Sequence, residues 1–257
     1  MRIDSYLYKN GYFPSRNKAV EAINDKKVLV NGNFVKPSLN VDDTFKIEII
    51  KDNDTYVSNG GAKLKKAIDD FNFDPKGLIF ADIGASNGGF TDCLLKHGAK
   101  KVFAIDVGDS QLNKSLSTDD RVVVIDNFNA RFLDKAVLNC LVDGVVADVS
   151  FISLTYILDG IKAVLKDGGI ALLLIKPQFE CGREYLNKNG IVKDVKARKL
   201  AIKRVYDACF ERGLFAINFT NAPIKENKNV EYVIMLKKDT NSKILSINDI
   251  MTMKGML

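Results

Sequence analysis

The segment Asp82–Phe90 holds three glycines between a predicted strand and a predicted helix. A glycine-rich turn at this point of an α/β sheet lets the backbone approach a ligand, and such turns commonly bind nucleotides. A nucleoside triphosphate would require Gly-Lys-Ser/Thr with its phosphate-binding lysine, which the segment lacks. A dinucleotide would require Gly-x-Gly-x-x-Gly, but Ser86 stands at the second glycine position. The segment therefore indicates a nucleotide-like ligand of another kind.

Acidic residues follow the first three predicted strands of this region. Asp82 ends the first strand, Asp106 ends the second and Asp126 follows the third. Carboxylates at this edge can accept hydrogen bonds from ribose hydroxyls and favour a cationic sulfur, whereas they would repel a pyrophosphate. The pattern favours S-adenosylmethionine as the cofactor. For each aspartate alone, the alternative is a cap on the following turn or helix.

Two further ionisable residues lie at predicted strand ends, where ligands bind in open α/β sheets. Lys176 follows the apolar run 171–175, and Asp148 ends the strand before it. A lysine amine that is desolvated or crowded by a second ammonium can accept or position the proton of a hydroxyl nucleophile. The alternative for Lys176 is a surface lysine that ends a strand.

The elements that must position these residues alternate along the chain. Strand, crossover and strand at this rhythm predict a doubly wound, mostly parallel seven-stranded α/β sheet with helices on both faces. The link before the last strand is too polar for a crossover helix, so we expect that strand to be antiparallel. The predicted strands are 78–83, 102–107, 122–125, 144–149, 169–175, 214–219 and 231–236.

Residues 1–50 form a separate pattern of two helices followed by a small sheet. Ser15 is a plausible N-cap for the second helix, and Asn31-Gly32 predicts a tight turn between strands. Residues 1–36 contain seven Lys/Arg against three Asp/Glu. This excess indicates either a face that binds a polyanion or a solvated helix surface. The whole chain has a net charge of +6, which favours a polyanionic partner only mildly.

The segments 15–19, 28–32 and 36–38 resemble the RNA-binding domain named after ribosomal protein S4. The resemblance implies RNA binding by this small α+β domain. One departure is Asp25-Lys26, where the family usually turns with a glycine. The residues that we expect to contact RNA are Arg2, Arg16, Lys18, Lys26, Lys27 and Lys36.

The larger region resembles the FtsJ-like methyltransferases, which have the class I, Rossmann-like methyltransferase fold. Combined with the N-terminal domain it is similar to the TlyA family of ribosomal RNA 2′-O-methyltransferases, long labelled hemolysins. A departure is Asn59, where the family usually has arginine, and the linker also differs from that of some members. The segments that carry the resemblance are 56–64, 82–93, 104–108, 148–154, 176–180 and 229–232.

The resemblance implies S-adenosylmethionine-dependent 2′-O-methylation of a cytidine ribose in ribosomal RNA. We expect the compact family type and a 23S site, with 16S as a second possibility. Lys63, Asp148, Lys176 and Glu231 are the implied catalytic tetrad, with Lys176 at the 2′-hydroxyl. The implied cofactor-binding residues are Asp82, Gly84, Ala85, Ser86, Gly88, Gly89, Phe90, Asp106, Asn129 and Asp148. Phe13, Phe151 and Phe179 are candidates to stack a target base, or else belong to the core or the pocket wall.

Other functions fit the sequence less well. A membrane-active hemolysin would need an export signal or a long apolar segment, and neither is evident. A non-catalytic RNA-binding or ribosome-assembly protein would not need the tetrad. Four widely spaced cysteines and one histidine predict buried free thiols in a reducing cytoplasm and no metal. We expect a monomer that acts on ribosomal RNA or ribosomal subunits and has no membrane partner.

The predicted domain boundaries follow from these patterns. Residues 1–50 are assigned to the S4-like domain, 51–57 to a linker and 58–240 to the methyltransferase domain. Residues 241–257 are predicted to be a loose or weakly helical tail.

Overall fold

The computed structural model describes residues 1–50, 56–109, 111–224, 226–238, 243–253 and 255. The chain divides into two compact units, Met1–Thr55 and Tyr56–Leu257. Most of the predicted linker, 51–57, lies outside the described residues. No helix among the described segments is long and apolar enough to cross a membrane.

The N-terminal unit has the predicted order of two helices and a small sheet. Its core is formed by apolar residues from all of these elements, including the fully buried Ile3 and Leu7. Ser15 caps the second helix as predicted, because its side chain accepts a hydrogen bond from the Lys18 N–H at 3.2 Å. The elements are α1 (Ile3–Lys9), α2 (Arg16–Asn24), β1 (Val28–Val30), β2 (Asn33–Phe34) and β3 (Ile47–Ile49), with antiparallel strands in the order β2-β1-β3.

The turn after α2 replaces a glycine by Lys26. Lys26 has a φ of 56°, in the left-handed region that favours glycine. Its N–H donates to the Ile23 carbonyl, and the Lys27 N–H donates to the Ala22 carbonyl. This pair of bonds is a Schellman motif, which normally places glycine where Lys26 stands. The turn of the S4 domain is therefore formed without the usual residue.

The larger unit is built on a seven-stranded sheet in the order β6-β5-β4-β7-β8-β10-β9. The first five of these strands are parallel, and β10 runs antiparallel to both β8 and β9. The prediction of an antiparallel last strand is confirmed, and this strand inserts between its two predecessors. The strands are β4 (Ile79–Ile83), β5 (Lys101–Ile105), β6 (Val122–Ile125), β7 (Val142–Ala147), β8 (Leu165–Ile175), β9 (Leu214–Asn221) and β10 (Tyr232–Lys238).

Helices cover both faces of this sheet, as predicted. Along β7 the side chains alternate between two apolar clusters, with Val145 and Ala147 in one and Val146 in the other. Such alternation buries a central strand on both faces. The helices are α3 (Asn59–Phe71), α4 (Gly89–Lys96), α5 (Lys114–Ser117), α6 (Lys135–Leu138), α7 (Leu158–Val164), α8 (Pro177–Glu180), α9 (Val195–Glu211) and α10 (Ile247–Thr252).

Part of the predicted tail forms the short helix α10, which is the helical alternative of that prediction. Ser246 and Asp249 form a capping box, and Ile250 is fully buried in the main core. One expectation from the sequence is corrected here, because the cysteines are not all buried. Cys93 and Cys209 are buried, Cys181 is half-buried and Cys140 is exposed.

Candidate active site

Four ionisable side chains meet at the carboxyl edge of the parallel strands. Asp148 directly follows β7, and Lys176 directly follows β8. Glu231 precedes β10, whose first residue Tyr232 pairs with the last residue of β8, so Glu231 arrives beside Lys176. Lys63 comes from α3, a helix that precedes the sheet in the chain. The structure thus brings together all four residues of the predicted tetrad.

The Asp148 carboxylate lies between the two lysines. Lys176 Nζ is 2.6 Å from Asp148 Oδ1, and Lys63 Nζ is 3.6 Å from Asp148 Oδ2. Lys63 Nζ also lies 2.7 Å from Glu231 Oε2. Lys176 donates a hydrogen bond to the Ser150 hydroxyl at 2.7 Å. Two positive and two negative groups therefore balance within one network.

The two lysines have different surroundings. Burial lowers the pKa of Lys63, but the carboxylates of Asp148 and Glu231 outweigh burial and raise that pKa above its usual value. The two carboxylates therefore keep the Lys63 amine protonated. Lys176 is only 7% exposed and lines a small cavity, whereas Lys63 lines neither that cavity nor its larger neighbour. Lys176 is thus the amine that faces a space where a substrate group can sit.

Two adjoining cavities open at this edge. The larger measures about 640 Å³, within the range typical of cofactor and small-molecule sites. The smaller measures about 160 Å³ and is bounded by the glycine segment, Asp148, Ser150 and Lys176. Gly84, Ser86, Asp148 and Ser150 line both. The predicted cofactor residues that line one or both are Gly84, Ala85, Ser86, Gly89, Phe90, Asp106, Asn129 and Asp148.

The glycine segment is held by the carboxylate of Asp106. Its Oδ2 accepts from the Ser86 N–H at 2.7 Å, and its Oδ1 accepts from the Gly108 N–H at 2.8 Å. A carboxylate has about four lone-pair sites, so these two bonds leave acceptor capacity toward the larger cavity. Gly84 has a φ of 78°, and a Cβ there would lie 2.9 Å from the Asp148 carbonyl oxygen. The close approach of these two loops therefore requires a glycine.

Three residues predicted at the cofactor do not line either cavity. Asp82 is fully buried and lines neither cavity. Asp126 lines neither cavity, and the same holds for Gly88. Gly88 instead begins α4 with a φ of 91°, and a Cβ there would lie 2.3 Å from Leu116 Cδ1. Its role is to let the chain turn into the helix.

Asp82 lies inside β4 rather than beyond its end, so its side chain turns toward the core under α4. Its Oδ2 accepts a 2.6 Å hydrogen bond from the Thr91 hydroxyl, and its Oδ1 has no hydrogen-bond partner among the described residues. Burial raises the pKa of Asp82 to about 7, and the charges of Asp148 and Asp106 add to the shift while the Thr91 bond opposes it. The Asp82 side chain therefore ties β4 to α4.

An aromatic pair borders the site. Phe151 has a φ of 64° and is 92% exposed, and it lines the larger cavity. Its ring centroid lies 5.3 Å from that of Phe179, and Lys176 Nζ lies 5.8 Å from the Phe179 ring. Phe13, by contrast, packs against the N-terminal core. An exposed aromatic ring held in a strained backbone conformation beside a catalytic-type lysine is typical of functional sites.

In the N-terminal unit, two of the predicted RNA-binding arginines share one buried carboxylate. Asp4 is 1% exposed and accepts hydrogen bonds from Arg2 at 3.1 Å and Arg16 at 2.9 Å. Burial would raise the pKa of Asp4, but these bonds outweigh it and lower the pKa. The guanidinium groups stay about half exposed, so they keep donors for a phosphate. The lysines at 18, 26 and 36 are exposed and Lys27 is half-buried.

Several site residues were missed from the sequence. Ser150 binds Lys176, and Ser58 and Gly60 line the smaller cavity ahead of Lys63. Gln111 lines the larger cavity. Ser150 and Gly60 lie within segments that carry the family resemblance, so the resemblance could have marked them as site residues. Gln111 lies outside those segments, and nothing in the sequence pattern marks it.

Comparison with known proteins agrees with this geometry. The sequence pattern of the FtsJ-like methyltransferase family matches residues 56–238, and that of the S4 domain matches residues 1–44. The chain belongs to the FtsJ-like methyltransferase family. The resemblance drawn from the sequence motifs, including that to the TlyA proteins, is therefore confirmed.

Similar proteins carry two kinds of name. Hemolysin A of Brachyspira hyodysenteriae is 44% identical over 91% of this chain and 98% of that protein. The 16S/23S rRNA (cytidine-2′-O)-methyltransferase TlyA of Mycobacterium tuberculosis is 37% identical over 93% of this chain and 91% of that protein. A solved structure described as a hemolysin, from Streptococcus thermophilus, is 37% identical, covers 94% of this chain and 89% of its own, and superposes with a TM-score of 0.72.

Proposed function

We propose that this FtsJ-like methyltransferase transfers a methyl group from S-adenosylmethionine to the 2′-oxygen of a cytidine ribose in ribosomal RNA. The 23S molecule is the first candidate and 16S the second, with free RNA or a ribosomal subunit as substrate. The proposal rests above all on Lys176, which is buried against Asp148 and faces a cavity at the strand ends. The tetrad's arrangement and the name of the mycobacterial relative support the same chemistry.

The larger cavity suits S-adenosylmethionine by its charge and its donors. Asp106 and Asp148 bring negative charge to a space that would receive a cationic sulfur, and Asn129 adds an amide. Gly84 lets the backbone come close at the boundary with the smaller cavity. Calorimetry checks this assignment: we expect S-adenosylmethionine to bind, and tight binding of NAD or ATP in its place would contradict it.

The protein's own groups are arranged to activate a hydroxyl. When bound, the cofactor supplies an electrophilic methyl group. Lys176 lies where it can accept or position the proton of the 2′-hydroxyl, and Asp148 and Ser150 fix its Nζ atom. Lys63 and Glu231 complete the frame: Lys63 neutralises the second oxygen of Asp148, and Glu231 holds Lys63. Orientation of the attacking oxygen is the main contribution expected of such a frame.

Substrate recognition divides between the two units. Residues 1–50, the S4-like domain, supply Arg2 and Arg16 for phosphate contacts, as well as the basic lysines of that surface. Phe151 and Phe179 offer a stacking surface for a target base that leaves its helix. Residues 58–240 supply the chemistry. We place the protein in the cytoplasm as a monomer.

Mapping of methyl groups tests the function directly. Ribosomal RNA from cells that lack the protein would be offered as free RNA, small subunits and large subunits, and 2′-O-methyl groups would be located by mass spectrometry. We expect the wild type to modify a cytidine and Lys176→Met to modify far less of it in the same time. Lys166→Met is the matched control, since Lys166 is exposed on the same strand. Absence of new 2′-O-methyl groups on all three substrates would contradict the proposal.

A further inference from the structure

The loop that follows β7 carries three groups of the site. Asp148, Ser150 and Phe151 lie within four consecutive residues, and two of them bind Lys176. Phe151 adopts a left-handed backbone conformation, which is strained for a bulky residue. Its side chain is 92% exposed, so burial of its own ring supplies little to offset that strain. Another interaction must hold this loop in place.

The buried carboxylate of Glu180, from the segment that follows β8, binds the end of the loop through two hydrogen bonds. Glu180 Oε2 accepts from the Ser153 hydroxyl at 2.5 Å, and Glu180 Oε1 accepts from the Leu154 N–H at 2.8 Å. Glu180 is 2% exposed and Ser153 is 6% exposed. Burial raises the pKa of Glu180, although these two bonds oppose the shift. Both carboxylate oxygens are thus used to bind the loop.

Glu180 lies at the end of α8, the short helix that begins directly after Lys176. Its own carbonyl accepts a 3.0 Å hydrogen bond from Arg204 of α9, which ties the end of α8 to α9. The carboxylate therefore joins the segment that carries Lys176 to the loop that carries Asp148 and Ser150. An apolar side chain would fill the same space without the desolvation cost of a carboxyl group, so packing alone does not account for a glutamate.

We propose that Glu180 is a positioning residue for methyl transfer: its carboxylate fixes the 148–153 loop against the Lys176 segment, and so sets the Lys176–Asp148 and Lys176–Ser150 distances and holds Phe151. Glu180 touches neither substrate nor cofactor in this role. The inference rests on the proposed function for its catalytic readout. The effect of Glu180 on the mobility of the loop can be measured without measuring methyl transfer.

The first test is kinetic. Glu180→Gln keeps the side-chain size but removes the charge: the Ser153 hydroxyl must reverse its bond to accept from the new amide, and the Leu154 N–H is left with a neutral acceptor. Both loop bonds therefore lose their charged acceptor and weaken. Displacement of reacting groups by about 1 Å can cost about 100-fold, and we expect single-turnover methyl transfer at saturating RNA and cofactor to fall about 10- to 100-fold. The phosphate contacts, which we assign to the N-terminal unit, should be unaffected, so the salt dependence of RNA affinity should not change. Thr220→Val is the control, because it removes a buried hydrogen bond to Asp70 away from this loop.

A double-mutant cycle separates positioning from general destabilisation. Ser153→Ala removes the partner of Glu180 Oε2 and should slow transfer by itself. In the Glu180→Gln background the same change should have little further effect, because both act through one bond. Ser153→Ala also serves if Glu180→Gln fails to fold. Additive losses, or losses no larger than that of Thr220→Val, would overturn the proposal.

A spectroscopic test is independent of catalysis. The chain contains no tryptophan, so Phe151→Trp places a single reporter on the loop. We expect the fluorescence anisotropy of this tryptophan to fall when Glu180→Gln is added, and to stay unchanged when Thr220→Val is added. Unchanged anisotropy with Glu180→Gln would overturn the inference. If the wild type proves inactive on ribosomal RNA while the anisotropy falls as expected, then the proposed function fails and the positioning role stands.

Discussion

Lys63 and Lys176 bind different oxygens of the same carboxylate, that of Asp148, at 3.6 Å and 2.6 Å. One lysine is held as a cation by a second carboxylate, Glu231, and the other faces the smaller cavity. The pair is therefore asymmetric, although its members are of the same residue type. This asymmetry assigns different tasks to the two amines and leads to different expectations for their removal.

Lys176→Met should abolish most of the chemistry and little else. Methionine keeps most of the side-chain volume but has no amine to accept or position the proton of the 2′-hydroxyl. General acid–base groups typically contribute about 10²–10⁴-fold, so we expect a single-turnover rate lower by that factor with RNA and cofactor binding nearly unchanged. Lys166→Met is the control from the same strand. Wild-type rates from Lys176→Met would show that this lysine only ends a strand.

Lys63→Met should affect both rate and stability. Without Lys63, Glu231 loses its cation at 2.7 Å and Asp148 keeps only Lys176. An uncompensated partly buried charge costs about 1–3 kcal/mol, and we expect the urea midpoint to fall accordingly. Transfer should slow at least about tenfold, because the Asp148 carboxylate is no longer fixed from both sides. Lys65→Met, two residues away on the same helix, should show neither effect of this size.

The sequence indicated the fold and the tetrad but not which side chains face the cavities. Asp106 and Asp148 follow their strands by one residue, whereas Asp82 is still inside β4. In the sheet register Asp82 pairs with Ala104 and Val146, two residues before Asp106 and Asp148, so its side chain stays beneath α4 while the other two lie past the strand ends. Strand ends cannot be placed to one residue from periodicity. The contact of Lys63 with Asp148 could be predicted only from the family resemblance, since the two residues are 85 positions apart in the chain.

Other features were beyond the sequence for a different reason. In the sequence Glu180 resembles an ordinary surface glutamate. Only the tertiary structure shows that it is buried and that its carboxylate accepts two hydrogen bonds from the loop. The sequence left open whether Phe151 stacks a base or belongs to the core or the pocket wall, and its exposed ring and positive φ, which phenylalanine rarely adopts, appear only in the structure. Local propensity fails at such positions because the surrounding structure imposes the conformation.

Asp82 should make stability depend on pH. Burial raises the pKa of its carboxyl group to about 7 in the folded protein, against an ordinary value of 3.8 for an exposed aspartate. Between these values the folded state keeps the proton and the unfolded state loses it, so stability falls as the pH rises from about 4 to 7. The full shift corresponds to about 4 kcal/mol. We expect urea unfolding at pH 5 and pH 8 to show a larger stability loss for wild type than for Asp82→Asn, and equal losses would contradict the assignment.

Lys26→Gly should stabilise the N-terminal unit. Lys26 holds a left-handed conformation at the glycine position of a Schellman motif, and relief of that strain is worth about 1 kcal/mol. Thermal unfolding measures the gain. Lys26→Ala is the control, because it removes the charge and keeps the strain. If RNA binding weakens equally in both variants while only the glycine variant is more stable, then the amine contacts RNA and the backbone is strained. No gain from glycine would refute the strain.

Phe151→Ala should weaken catalysis by removing the stacking surface for the target base. The ring is 92% exposed and lies 5.3 Å from Phe179, so its loss leaves no cavity in the core and should not lower the unfolding temperature. Stacking of a base on an aromatic side chain is worth about 1–3 kcal/mol, which corresponds to about a 5- to 150-fold lower rate at subsaturating RNA. Phe151→Tyr should retain most of the activity, because tyrosine presents a similar ring face. Phe132→Ala is the control, since Phe132 is 73% exposed and lines neither cavity.

Fluorescence of 2-aminopurine at the target position reports unstacking of the base, and it should rise on binding to wild type and to Phe151→Tyr but less with Phe151→Ala. An equal rise with all variants, together with unchanged rates, would show that this exposed ring does not contact the base.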